Sequence, residues 1–134
     1  MHLRHALFAT GGAVLVAAAA AACGGSSSST SASPGPLQHP SALVGVVGHN
    51  DSFSISLTDP SGQAVKHLQA GTYPLTIKDE SSLHNFHLSG DGVDKTTSIG
   101  GTGSTTFSVT FKPGTYTFVC DPHSSQMHGK FTVS

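Results

Sequence analysis

Three side chains near the end of the chain, Cys120, His123 and Met127, stand in the order C-x-x-H-x-x-x-M within "YTFVCDPHSSQMHGKFTV". Apolar/polar alternation runs up to Cys120 and resumes after Gly129, so the segment between them reads as a loop joining two strands. A tight loop of this kind can aim a thiolate, an imidazole and a thioether at one point. The thioether narrows the chemistry. It is a poor partner for zinc, calcium or magnesium and a good one for copper in its reduced state. Structural zinc sites are built from Cys and His without Met.

Two imidazoles, one thiolate and a weak axial thioether form the blue-copper donor set, so one imidazole has to come from elsewhere. The donor lies in "LHNFHL". Alternation there puts His84 on the face of Phe86 and Leu88, the core side, and puts Asn85 and His87 on the other. A buried ligand comes from the core side, which selects His84; a slip or bulge in the strand would select His87 instead. Taken singly, each of these residues has a plainer reading. A lone Cys in a β-protein is commonly a small buried apolar residue, His123 a surface loop residue, and Met127 core filling. Their joint spacing is what raises them. His128 reads as a solvated residue at a strand start, Tyr116 as a hydrogen-bonded core or corner residue, and His39, His49 and His67 as structural or solvent-facing.

The elements that must position these donors are strands. Period-two alternation marks Ser52 to Thr58, Thr72 to Lys78, His84 to Leu88, Thr105 to Phe111, Thr115 to Cys120 and Gly129 to Val133. Turn signals separate them: "DPSG", "QAGT", "SGDG", "GGTG" and "KPGT". No segment sustains a helical period. Short alternating strands between Gly/Pro turns predict an all-β, antiparallel Greek-key sandwich of about seven to eight strands. Its core is expected to hold Phe53, Ile55, Leu57, Leu75, Ile77, Phe86, Leu88, Phe107, Val109, Phe111, Phe118, Phe131 and Val133. The polar, Gly-rich stretch from Ser89 to Gly103 is expected to be a long loop. An immunoglobulin-type domain is disfavoured, because there is no Trp and no second core cysteine.

"PGTYTFVCDPH…M" with an upstream "HN" resembles the cupredoxin family, which includes plastocyanin, amicyanin and azurin. The resemblance covers about Leu43 to Ser134. The Cys-to-His gap is plastocyanin-like, and the His-to-Met gap of three residues is azurin-like. The resemblance implies one copper ion, with Cys120 as the short covalent thiolate ligand, His84 and His123 completing a trigonal plane, and Met127 as the long axial contact. It implies that Asn85 ties the ligand loop to the first ligand by hydrogen bonding, and that His123, the more exposed ligand, is the route for electrons. The family's activity is single-electron transfer with a redox partner protein, and not enzymatic turnover.

The chain begins "MHLRHALFATGGAVLVAAAAAACGG": a short basic start, an apolar run, then small residues, as in a secretory signal peptide. Its "AAAC" resembles the lipobox of bacterial lipoproteins, which implies that residues 1–22 are removed and that Cys23 is acylated. Ordinary cleavage near the same alanines, leaving a secreted protein, is the alternative. Residues 23–36, rich in Ser, Gly and Pro, read as a flexible tether, and residues 37–134 as one domain. That domain carries five lysines against seven acidic residues and no basic patch, which argues against nucleic acid as a partner. Outside the cytoplasm, with Cys23 lipidated, Cys120 would have no cysteine to pair with, so a metal is the natural way to occupy it. The expected protein is a monomer on the outer side of the cell membrane, a mononuclear copper protein that carries single electrons, or alternatively one that binds, buffers or delivers copper without a redox partner. A multicopper enzyme would need further copper sites on further domains.

Overall fold

The computed structural model describes residues 35–134. The leader, Cys23 and most of the tether lie outside them. Among the described residues the chain forms β1 (Leu43–Val47), β2 (Ile55–Thr58), β3 (His67–Leu68), β4 (Gly71–Asp79), β5 (His87–Gly90), β6 (Val93–Thr96), β7 (Gly103–Phe111), β8 (Gly114–Val119) and β9 (His128–Val133), with short 3-10 turns at His49–Asp51 and Asp121–His123. They make two sheets, one in the order β2-β1-β4-β7 and the other β3-β9-β8-β5-β6.

The sandwich is not purely antiparallel. β1 runs parallel to β4, from Leu43 opposite Leu75 to Val47 opposite Asp79, and β3 runs parallel to β9. The count is nine strands because three were not visible as alternation: β1, the two-residue β3, and β6 inside the stretch expected to be a loop. β6 exists because Asp91 and Gly92 take positive φ (22° and 79°) and turn the chain back on β5 as a tight hairpin.

Alternation sets the faces. In β4, Tyr73, Leu75, Ile77 and Asp79 point inward while Thr72, Pro74 and Lys78 face out. Opposite them on β7, Val109 and Phe111 are buried, and Thr106 and Thr110 pair their hydroxyls with Thr76 and Thr72 across the outer face at 3.0 and 2.8 Å. One end of the core is aromatic: Tyr116 stacks on Phe131 (centroids 5.5 Å, 18°), and Phe111 meets both edge-on. The Tyr116 hydroxyl donates to the Lys112 carbonyl at 3.0 Å and fixes the β7–β8 corner. Toward the other end Phe86 stacks on Phe118 (5.6 Å, 6°). Gly129 makes room for that pair, since a Cβ there would sit 2.2 Å from the Phe118 ring.

One expected core residue lies elsewhere. Phe53 is 57% exposed and precedes β2. The chain curls through Gly48, Asn50 and Asp51, all at positive φ, and then closes a tight turn around Phe53, Ser54 N–H on Ser52 O at 2.8 Å, so the alternation begins only at Ile55.

Candidate metal centre

β8 delivers Cys120 to the end of the sandwich, and the loop after it closes on itself. The Cys120 N–H donates to Met127 O (3.0 Å), and the N–H groups of Gln126 and Met127 both donate to His123 O (2.9 and 2.8 Å). Pro122 lies in the first turn, where its missing N–H costs nothing. Eight residues are thereby folded into a compact arch with Cys120 and Met127 at its base, both fully buried, and with His123 half-buried at its crown.

His84 arrives from the segment between β4 and β5. Its N–H donates to Ser81 O (3.3 Å), and Ser81 Oγ accepts from Leu83 N (3.2 Å). Buried Asp79 accepts from Thr97 Oγ1 (2.8 Å), and Thr97 in turn holds Phe86 through both its hydroxyl and its backbone. Gly48 permits the close approach of the β1–β2 segment: a Cβ there would lie 2.9 Å from the His84 ring. His84 therefore stands just ahead of β5, not within it. Alternation still places it correctly, because His84, Phe86 and Leu88 are all buried while His87 faces outward.

The structure brings three donors together. His84 Nδ1 and His123 Nδ1 are 3.0 Å apart, and Cys120 Sγ is 3.6 Å from the first and 3.5 Å from the second. A small cation bonding nitrogen at about 2.0 Å and sulfur at about 2.3 Å, with angles near trigonal, needs donors roughly 3.5–3.8 Å apart. The two sulfur–nitrogen separations meet that requirement, and the nitrogen–nitrogen one is slightly shorter. His84 is 1% exposed and its Nε2 has no partner among the described residues, so Nδ1 is the atom through which this buried ring can be satisfied. A thiol and two imidazoles so placed fit a soft ion. Phe53 stands edge-on to both rings, at 5.4 Å from His84 and 4.8 Å from His123.

His87 does not join this group. Its Nδ1 meets Asp121 Oδ1 (2.9 Å) and its Nε2 meets Asp94 Oδ1 (2.8 Å). Asn85 lies between the two donor segments: its Oδ1 accepts from the Asp121 backbone N–H (2.8 Å), and its Nδ2 donates to Asp121 Oδ2 (2.7 Å) and to Thr96 Oγ1 (3.1 Å). Sequence alternation put Asn85 on the outer face, yet it is buried, because the turn before β5 is not extended. The hydrogen bond that His87 donates to Asp121 raises the His87 pKa above its ordinary value against the opposing effect of burial, with Asp94 adding to it. Burial pushes the Asp121 carboxyl up, but the bonds from Asn85 and His87 outweigh it and hold it below the usual carboxylate range. Asp121 was missed in the sequence. Its one signal was position, a charged residue wedged between Cys120 and Pro122. His128 is exposed, as a strand start should be, with Nδ1 against Ser124 O.

Two sheets with the donors gathered at one end of the sandwich define a blue-copper type of β-fold. The model of copper-binding proteins of the plastocyanin/azurin family matches residues 46–134, and the chain belongs to that family. Its cofactor is one copper ion, for which His84, Cys120 and His123 form the candidate group. Solved structures of similar fold include reduced rusticyanin (20% identity, 73% of this chain and 83% of that one, TM-score 0.53). They also include a methionine-to-glutamine variant of rusticyanin (18%, 73% and 81%, 0.55) and rusticyanin from Thiobacillus ferrooxidans (19%, 73% and 80%, 0.52). A comparison with curated protein sequences gives no match.

Proposed function

We propose that this chain is a type 1 copper protein that carries single electrons between partner proteins outside the cytoplasm. The observation that carries the reading is the convergence of Cys120 Sγ, His84 Nδ1 and His123 Nδ1, brought from two segments of the chain by backbone and side-chain hydrogen bonds that need no metal. The bound copper supplies a one-electron couple. Cys120 would give the thiolate, His84 and His123 the imidazoles, and Met127, buried at the base of the same loop, a thioether. Rigid donors keep rearrangement between oxidation states small, which is what a carrier requires. His123 is the most exposed of the set and provides the contact with a partner. Phe53, packed edge-on against both rings, limits water at the same place.

The sequence alone supports the location. The "AAAC" run and the Ser/Gly-rich segment after it fit an acylated Cys23 holding residues 37–134, as a monomer, to the outer side of the membrane. A Cys23→Ser variant should then appear in the soluble fraction, and retention in the membrane would remove that part of the reading.

The test of function is to add Cu(II) to the purified protein and record its visible spectrum. An intense thiolate-to-copper band should appear, bleach reversibly on reduction, and be absent in Cys120→Ala. A colourless complex would instead make the protein a copper buffer or delivery protein.

A further inference from the structure

His87 is left over by the site as built: a ring beside the ligand loop with both nitrogens engaged and no place among the metal donors. We propose that His87 is a positioning residue for the copper centre, which, by bridging Asp121 and Asp94 through its two ring nitrogens, fixes the first residue of the ligand loop against β5 and β6 and so aims the Cys120 thiolate before metal arrives. The inference rests on the copper reading of the site and deepens it.

The placement is specific. On β5, His87 lies opposite Val119, the residue directly before Cys120, and on its other side opposite Thr96 of β6. Asp121 directly follows Cys120. The thiolate-bearing residue is thus flanked on one side by a strand partner of His87 and on the other by its hydrogen-bond partner. The two oxygens of Asp121 are taken by different donors, Oδ1 by His87 and Oδ2 by Asn85, and its backbone N–H goes to Asn85 Oδ1. A carboxylate held at one oxygen can still turn about its side-chain bonds. Held at both, with its own N–H tied as well, it cannot. Asn85 links the loop to the segment of His84, and His87 adds a second tether, to β5 and β6.

Asp94 then anchors His87. Its side chain is 81% exposed, so as an isolated ion pair with His87 it would contribute little to stability. Its effect is orientational: with Nε2 on Asp94, the ring presents Nδ1 to Asp121. Groups that orient ligands from outside the donor set in this way commonly alter metal affinity 10- to 100-fold.

The experiment compares wild type, His87→Ala, His87→Gln and Asp121→Asn, with Thr72→Ala on the far outer face as a control for general loss of stability. Two quantities are read: the rate at which bound copper is lost to a competing chelator, and hydrogen exchange of the Asp121 and Met127 backbone amides in the metal-free protein. His87→Ala should release copper about tenfold faster and exchange both amides faster. His87→Gln, which keeps one donor for Asp121, should fall between it and wild type. Combining His87→Ala with Asp121→Asn should add little to Asp121→Asn alone, because the His87 tether ends on the Asp121 carboxylate. If His87→Ala loses stability but releases copper and exchanges the loop amides at the wild-type rate, His87 is a structural pin and the inference fails. If wild type itself shows no thiolate-to-copper band, the underlying reading of the site has failed instead.

Discussion

The two ends of the sandwich are built on opposite principles. At the β7–β8 corner, Tyr116, Phe131, Phe111 and Tyr73 fill the space between the sheets, and the Tyr116 hydroxyl finds the Lys112 backbone. At the other end the same strand, β8, runs into Cys120, and the interior becomes polar. Apart from the tyrosines, every buried polar side chain among the described residues (Asp79, Ser81, His84 and Asn85) falls in the one segment that carries the first imidazole. The aromatic end makes the fold. The polar end uses stability to hold donors in place, and leaves His84 Nε2 without a partner.

Variants can break this contrast. The largest effect is expected from Phe131→Ala, which should cost about 3–5 kcal/mol of unfolding free energy in chemical denaturation. At a temperature where it remains folded, it should still bind copper with wild-type colour. Gly129→Ala should cost about 1–3 kcal/mol, because the new Cβ would lie 2.2 Å from the Phe118 ring, which is stacked on Phe86. Gly129 lies two residues beyond Met127, so this variant sharpens the comparison by showing how far core strain reaches into the site. His84→Leu should reverse the pattern: the metal-free protein should be as stable as wild type or up to about 1 kcal/mol more so, with copper binding lost. A metal-free protein strongly destabilised by that change would mean that the polar end supports the fold.

The smallest effect concerns pH. Asp121 and Asp94 raise the His87 pKa, so the folded state binds the imidazole proton more tightly than the unfolded chain does. That contribution is fully present below about pH 6.5 and is lost as pH rises through the raised value. The stability difference between metal-free wild type and His87→Ala should therefore be greater at about pH 5.5 than at about pH 9; a difference that grows with pH would contradict the assignment.

What could be read from the sequence follows from range. Cys120 and His123 lie within one short loop, so spacing alone brought them together, and the alternation of β4, β7, β8 and β9 survives because each has one buried face. His84 could be chosen over His87 because Phe86 and Leu88 mark the inner face on the same segment. The parallel pairing of β1 with β4 could not be read, since nothing local distinguishes it from an antiparallel neighbour. Phe53 misled because it continues the alternation of β2 in sequence, whereas a tight turn, Ser54 N–H on Ser52 O at 2.8 Å, takes it out of the strand. The Asp121–His87–Asp94 bridge joins residues up to 34 positions apart, and their types alone carry no sign of it.

X-ray absorption at the copper edge of the loaded protein tests the central claim most directly. The account predicts one short sulfur and two imidazole nitrogens in the first shell, with the sulfur lost in Cys120→Ala and one nitrogen lost in His84→Ala but not in His87→Ala. A first shell of nitrogen and oxygen without sulfur, or one that loses a nitrogen when His87 is replaced, would contradict it.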